Sequence, residues 1–552
     1  MKRFCCVIAI ITVVISVNAV TASASPMQMA VTGTTIDPGL GTLHHAVSTR
    51  SEQAQRFFDQ GLTLNYALNH EAAVQSYRRA LELDPELAMA YWGIAHAMGP
   101  DINQPMTSEH LAVANEAIAK AVALASHASK REREYIEALR KRYSMNEPAD
   151  RSTLDAAYKD AMAALSTHAP DDVDAAVLYA ESLMILRPWK WWRADGAAEE
   201  GTLEAVGALQ RALQLQPNHI GANHYYVHAV EMSPHPEAGL VSAHRLETLA
   251  PSAGHLVHMP AHIYMRTGEY LDAARVNESA ASADEHVHAM GPKSEYLPYY
   301  HGHNLHFLAV SYSYAGAGDK AMAAAIKLVD TVQGDVASLP EIVDYYCSNQ
   351  FQVGVLFDRW VEVLRLPELP AAMPLSRAFY HFARSLAFAG TGQPVQAQAE
   401  RASFVAAAAA MGPQVSYGYN PAADVMAVAL HYLDGRIAMM VGDFKTAAAN
   451  FRQAANAEEK LAYDEPPDWY LASNWMLGKA LLKLGDAAGA ETAFRSDLKH
   501  NIGHGRSLAG LAAALRKQGK TAEADATQKR FEYAWRGADT SPGDLQSAPT
   551  QL

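Results

Sequence analysis

A spacing of 34 residues constrains this chain more than any other feature. Pro217 and Pro251 stand 34 apart, and each closes a helix-patterned run, at 205–216 and 239–250. Gly485 and Gly519 are separated by the same 34 residues. A repeating unit of this length with helical periodicity is a pair of antiparallel helices. Such a pair cannot bury its apolar face alone, so the units must stack. No stretch shows the Val/Ile/Thr alternation of strands. The expected fold is therefore all-α, a superhelix (solenoid) of helical hairpins. The several separate domains that 552 residues would also allow are not needed.

Individual units carry a recognisable pattern. In 52–85, Phe57, Gly61 and Leu64 occupy the first helix, Ala73, Tyr77 and Ala80 the second, and Pro85 ends the unit. Gly435, Gly442, Ala447 and Phe451 repeat it, as do Leu477, Gly478, Leu481, Gly485, Ala490 and Phe494, and then Leu511, Leu515, Gly519 and Ala524. Small residues let two helices approach, and large apolar ones fill the gap to the next pair. This spacing resembles the tetratricopeptide repeat (TPR) family. The resemblance implies a superhelix whose inner groove is lined mainly by the first helix of each repeat. The expected organisation is a signal peptide at 1–24, a linker at 25–50, TPR-like helices at 51–200 and His-rich central repeats at 201–310. Irregular helical repeats follow at 311–425, C-terminal TPR repeats at 426–536 and a Ser/Pro/Gly-rich disordered tail at 537–552.

Histidine is the unusual component. Of 24 His, 13 lie between His219 and His306. In NHIGANHYYVHAVE, His224, His228 and Glu231 follow i, i+4, i+7 spacing and fall within about 60° on one helix face. In GHLVHMPAHIY, His255, His258 and His262 also share a face. His224 and His258 are 34 apart, and so are His228 and His262, which makes them equivalent places on adjacent repeats. By resemblance to TPR proteins those places face the inner groove. Pro260 either bends the helix between His258 and His262 or begins it, leaving His255 and His258 on a loop. A further group, His301, His303 and His306, adds ligands or an outer shell. His235, His244, His286 and His288 read as surface or packing residues, and His96 as a packing residue.

Divalent transition metals take imidazole and carboxylate ligands at about 2.0–2.2 Å. The metal reading assigns His224, His228, His258 and His262 as ligands to Zn, Cu or Fe, with His255 and His303 as further ligands. Glu231 is a ligand or a general base. An open coordination position allows metal-assisted hydrolysis, and copper or iron allows redox chemistry. The competing reading is a polar His/Tyr network that binds a peptide or carboxylate. A TPR array holding a peptide or protein partner without chemistry, or scaffolding an envelope complex, is the alternative function. No HExxH, CxxC, Walker A or GxSxG motif occurs.

Two other segments stand near these motifs. Trp189, Trp191 and Trp192 sit in one short turn, as inter-repeat packing or as an aromatic wall. The stretch 464–470, DEPPDWY, is an acidic inter-repeat loop, a lid or a source of extra carboxylates.

Lys2, Arg3 and the apolar run 4–17, followed by Ala22-Ser23-Ala24, read as a secretory signal and point to a periplasmic or secreted protein. An uncleaved anchor is the alternative. Removal of the signal takes Cys5 and Cys6 with it and leaves Cys347 as one thiol. The net charge of −14 argues against general nucleic-acid binding, and no later stretch is apolar enough for stable membrane insertion. Along most of its length the chain resembles a group of secreted bacterial TPR proteins, through AYWGIAHAMGPDIN, ANHYYVHAVE, GHLVHMPAHIYMRTGEY, HNLHFL and EPPDWY. That resemblance implies the fold and singles out the His motifs, and it supplies no reaction.

Overall fold

A computed structural model describes residues 34–144, 150–288 and 296–542. The expected signal peptide with Cys5 and Cys6, residues 25–33 of the linker and residues 543–552 of the tail lie outside these residues. The chain is an all-α solenoid of antiparallel hairpins, from Glu52–Tyr66 with His70–Leu83 to Gly505–Lys517 with Thr521–Ala534. The 311–425 stretch is also helical, through pairs such as Gly302–Ala315 with Gly318–Val332 and Pro374–Gly390 with Pro394–Ala410. Among the described residues no helix is long and apolar enough to cross a membrane. Cys347 is a buried free thiol.

The repeat residues set the helix spacing. Tyr77 lies between two first helices: a Cβ added at Gly61 would fall 2.6 Å from its ring, and one at Gly93 2.5 Å. Phe494 has the same relation to Gly478 and Gly510, at 2.5 and 2.3 Å. One aromatic from each second helix thus fills the space that two glycines leave open. Local capping adds to this, with Ser51 accepting from Ala54 N–H and Asn69 from Ala72 N–H at the ends of the first hairpin.

Strand is nearly absent, with one departure from expectation. Ser416–Tyr417 pairs antiparallel with Asn420–Pro421 around a two-residue turn, Gly418-Tyr419. Gly418 has φ +57°. A Cβ there would sit 2.2 Å from an Asp464 carboxylate oxygen and 2.3 Å from one of Asp468, so only glycine brings the turn this close.

The inner groove is closed at the centre of the array, unlike the open groove implied by TPR resemblance. All twelve residues of Ile220–Glu231 are buried. The first repeat curls back onto this helix: Tyr66 packs against Gly221, and its hydroxyl donates to Asp174 at 2.6 Å. Asp174 also pairs with His45 at 2.7 Å and His219 at 3.0 Å. Burial pushes the Asp174 carboxyl up, but the two imidazoles outweigh it and hold it well below the usual range. Two apolar cores meet at the next first helix. Leu256, Met259 and Ile263 belong to the N-terminal core, and Ala261, Tyr264 and Met265 to the C-terminal one.

Candidate metal centre

Three first-helix segments position the imidazoles. Ile220–Glu231 carries His224 and His228. The run after Ala253 is split by Pro260 into Gly254–His258 and Pro260–Thr267, with Met259 between them still in helical conformation. The outcome combines the two sequence alternatives: a new helix begins at Pro260, yet His255 and His258 are already helical. Gly302–Ala315 contributes His303. The i, i+4 pairs are matched, with ring centroids 4.9 Å apart for His224/His228 and 4.8 Å for His258/His262. Across the repeats His224 meets His255 at 5.0 Å, and His228 meets His262 at 5.3 Å. His303 lies 4.8 Å from His258.

The nitrogen chemistry is directional. His224 Nδ1 donates to the Tyr66 carbonyl at 2.6 Å. His228 Nδ1 and His262 Nδ1 donate to the two oxygens of Glu231, at 2.7 and 2.5 Å. His258 Nδ1 donates to Asn277 Oδ1 at 2.7 Å, and Asn277 is held in that orientation because its Nδ2 donates to the Ala273 carbonyl at 2.7 Å. Four rings thus commit Nδ1–H outward and turn Nε2 inward. The inward atoms crowd: His258 Nε2 and His262 Nε2 are 2.9 Å apart, and His224 Nε2 and His255 Nε2 3.2 Å. His228 Nε2 and His255 Nδ1 are buried without a hydrogen-bond partner among the described residues. Two sets, His224/His228/His255 and His258/His262/His303, each offer three nitrogens within 4.8 Å of one another.

Electrostatics keep most of these rings neutral. Burial lowers His224, His255, His258 and His303 well below the usual imidazole value, and neighbouring imidazoles add to the effect. Burial lowers His228 as well, against the pull of Glu231. Burial alone takes His306 to about 3. Burial pushes Glu231 up, but the His262 charge and the hydrogen bonds from His228 and His262 bring it down to about 2. Glu231 is sealed between two imidazoles, with Tyr463 Oη 3.4 Å from it.

The remaining histidines separate from this group. His301 faces Asp284 at 3.6 Å, and His306 packs on Tyr345 and Tyr346. His235 is exposed beside Glu237. His96 stacks on Trp92 and also pairs with buried Glu181 at 3.0 Å, which packing alone did not anticipate.

His228, His255, His262 and His303 help to line a cavity of about 300 Å³. The Trp cluster divides its roles: Trp191 is buried and donates to the Met184 carbonyl, Trp192 donates to the Ala229 carbonyl, and Trp189 forms cavity wall, edge-on to His228 at 5.3 Å. The 464–470 segment lies across the cavity and brings Asp464 and Glu465 to its lining. Burial raises Glu465 to about 7 and Asp468 to about 7. Burial and the facing Asp468 raise Asp464 well above the carboxylate range. Tyr66, Asn277, Tyr463 and Tyr419 complete the surroundings, and no sequence motif marks them. A helix-by-helix search for acceptors facing each imidazole Nδ1 would have reached Asn277, but nothing local signals the others.

With this geometry in place, comparison with known proteins adds one sequence match. Residues 69–87 match the tetratricopeptide repeat model, across the second helix of the first hairpin, His70–Leu83. None of the curated proteins matches the chain. Among solved structures, the chain is similar to one of the APC/C hetero-tetramer Cut9–Hcn1, at 13% identity over 90% of this chain and 78% of that one, with TM-score 0.30. It is similar to the human IFIT1 dimer with m7Gppp-AAAA at 12% identity, over 89% and 91%, with TM-score 0.31. It is also similar to yeast Tom70 at 12% identity, over 87% and 90%, with TM-score 0.28. The chain is thus an all-α solenoid containing a tetratricopeptide repeat, and its fold class rests on the helices and their pairing.

Proposed function

We propose that the central repeats form a transition-metal centre within an exported TPR-type scaffold. His224, His228 and His255 are one proposed ligand set, and His258, His262 and His303 the other. The observation that carries this reading is the 2.9 Å approach of His258 Nε2 to His262 Nε2 while both Nδ1–H groups donate elsewhere. Two lone pairs at that distance repel unless a cation lies between them. Burial and neighbouring imidazoles keep a proton off His258; one carried by His262 also joins the pair, and the third nitrogen, from His303 within 4.8 Å, favours a metal ion over it. A metal ion is the cation such a site accepts: two nitrogens bound tetrahedrally at about 2.0–2.1 Å stand about 3.3 Å apart.

The outward hydrogen bonds support the same reading. Metal-bound His usually donates its other N–H to a carboxylate or carbonyl, which fixes ring and tautomer. Tyr66, Glu231 and Asn277 do this here. Glu231 orients two rings and offsets cationic charge, a role preferred over the ligand or general base expected from sequence because both its oxygens accept from imidazole Nδ1–H groups and Glu231 does not line the cavity. When bound, Zn, Cu or Fe supplies Lewis acidity, and Cu or Fe also electron transfer. The chain's own residues hold the imidazoles in place, exclude water with Trp189 and Tyr300, and present Glu465 to a ligand.

Elemental analysis of untagged protein tests the centre. A stoichiometric metal that disappears in a His224→Ala/His258→Ala variant is the expected result. A metal-free protein that gains no thermal stability from added Zn or Cu refutes it. Export through the Lys2/Arg3 signal belongs to the same proposal, and N-terminal sequencing of the mature protein checks it.

A second reading, a scaffold for a protein or peptide partner, is favoured by the repeat match at 69–87. It predicts that ligand-site variants leave partner binding unchanged.

A further inference from the structure

The cavity beside the imidazoles has a one-sided lining. Its charged groups other than His are Glu341, Asp464 and Glu465, and among the described residues neither Lys nor Arg lines it. Arg266, whose charge reaches Glu465, is held outside: it stacks on Tyr463 at 5.4 Å and donates to the Glu231 carbonyl at 3.0 Å. Among the described residues, anionic ligands therefore meet no Lys or Arg side chain here. Much of the wall is aromatic. Trp189 and Tyr419 lie with ring centroids 5.6 Å apart, and Tyr300 packs on His255 at 4.8 Å. Tyr419 is 50% exposed at the tip of its turn, an unusual place for a large aromatic ring.

Glu465 supplies the independent observation. Its side chain is buried, at 7% exposure, and lines the cavity. Oε1 accepts from the Tyr463 hydroxyl at 2.8 Å, while Oε2 has no hydrogen-bond partner among the described residues. A buried carboxylate oxygen without a donor is costly to maintain. The group that satisfies it enters through the cavity, and a donor carrying positive charge satisfies it best. Aromatic faces attract the same charge through their quadrupoles, and about 300 Å³ suits a small molecule.

We propose that this cavity selects small organic cations of the alkyl- or arylammonium class. The ammonium group is held at Glu465 and Asp464, and the hydrocarbon part lies among Trp189, Tyr300 and Tyr419. The inference deepens the metal-centre reading and rests on it for the direction in which the ligand's other end points, toward the imidazoles. The cation preference itself comes from the lining. Burial keeps Glu465 near 7 in the empty cavity, so an arriving ammonium finds a carboxyl ready to ionise.

The test uses the full, untagged protein at pH 8, once chelator-treated and once metal-loaded. Calorimetric titrations compare phenethylammonium, 2-phenylethanol and phenylacetate, which share a phenyl group and differ in charge. Phenethylammonium is expected to bind at least tenfold tighter than either other probe in both metal states. Glu465→Gln should remove at least tenfold of that affinity without changing metal content or melting temperature. Tyr419→Ala, at a half-exposed position on the turn, should weaken it several-fold. Equal or tighter binding of the alcohol or the anion, no binding of any probe, or an unchanged affinity in Glu465→Gln overturns the inference. Full metal content without ammonium preference overturns it and leaves the metal centre standing. Ammonium preference in a chain that takes up no metal sustains it and refutes the metal centre.

Discussion

The C-terminal hairpins and the His-bearing central pair share one repeat length and differ in what surrounds the first helix. Gly505–Lys517 packs one face inward and leaves Arg516 and Lys517 in solvent. Ile220–Glu231 has no solvent face. In the C-terminal region Gly478, Phe494 and Gly510 set the distance between helices, and the buried Asp497 finds its imidazole partner, His504, seven residues away. In the centre the same spacing is kept, but several imidazoles find partners further along the chain, His224 at Tyr66, His258 at Asn277 and His262 at Glu231. Repeat residues thus determine spacing, and the positions they leave free determine chemistry.

The comparison can be broken most severely at its structural end. Phe494→Ala removes the aromatic shared by two glycines and should cost about 3–5 kcal/mol in denaturant unfolding, while metal content per folded molecule stays unchanged. At the other end, Glu231→Gln keeps the volume and removes the charge that orients His228 and His262. Metal affinity should fall about 10–100-fold, the range for loss of an orienting partner, as measured by competition with a chromophoric chelator. Asn277→Leu should lower affinity through His258 alone and by less than Glu231→Gln.

Tyr66→Phe sharpens the contrast between backbone and side chain. The carbonyl that orients His224 remains, so metal content should hold. The lost hydroxyl at Asp174 should cost about 1–3 kcal/mol of stability. The smallest effect is expected at Asp497. Burial raises its carboxyl, but His504, 2.6 Å away, outweighs this and holds it below the usual value. A depressed carboxyl stabilises the fold above its unfolded value, and the contribution is lost as pH falls through the folded one. Asp497→Asn should therefore lower stability slightly at neutral pH, and flatten the acid side of the stability profile, below about pH 4.

Much of this architecture was legible in the residues. Hairpins with Gly61/Tyr77 and Gly478/Phe494 follow from spacing, because the physics is local and repeats every 34 residues. The same period places His224, His228, His258 and His262 on neighbouring helices. It does not determine which rings meet: His224 contacts His255 and His228 contacts His262. Closure of the groove was not legible either, since it depends on Tyr66 meeting a helix 158 residues later. Trp189 left its packing cluster for the cavity through a backbone at φ +58°. Tyr419 reached the rim on a two-residue ribbon too short to leave a strand pattern.

The reach of the hydrogen bonds around Glu231 and His224 bears on how the protein matures. Tyr66 precedes His224 by 158 residues, and Tyr463 follows Glu231 by 232. A nascent chain synthesised only through His303 has all six histidines but neither Tyr463 nor the acidic wall, so the surroundings of the site arrive last. Imidazole ligands alone discriminate poorly among Zn, Cu and Fe. On the proposed metal-centre reading, the occupant is then chosen by the ion supply of the compartment in which the last hairpins dock, and the same polypeptide refolded elsewhere would carry a different metal.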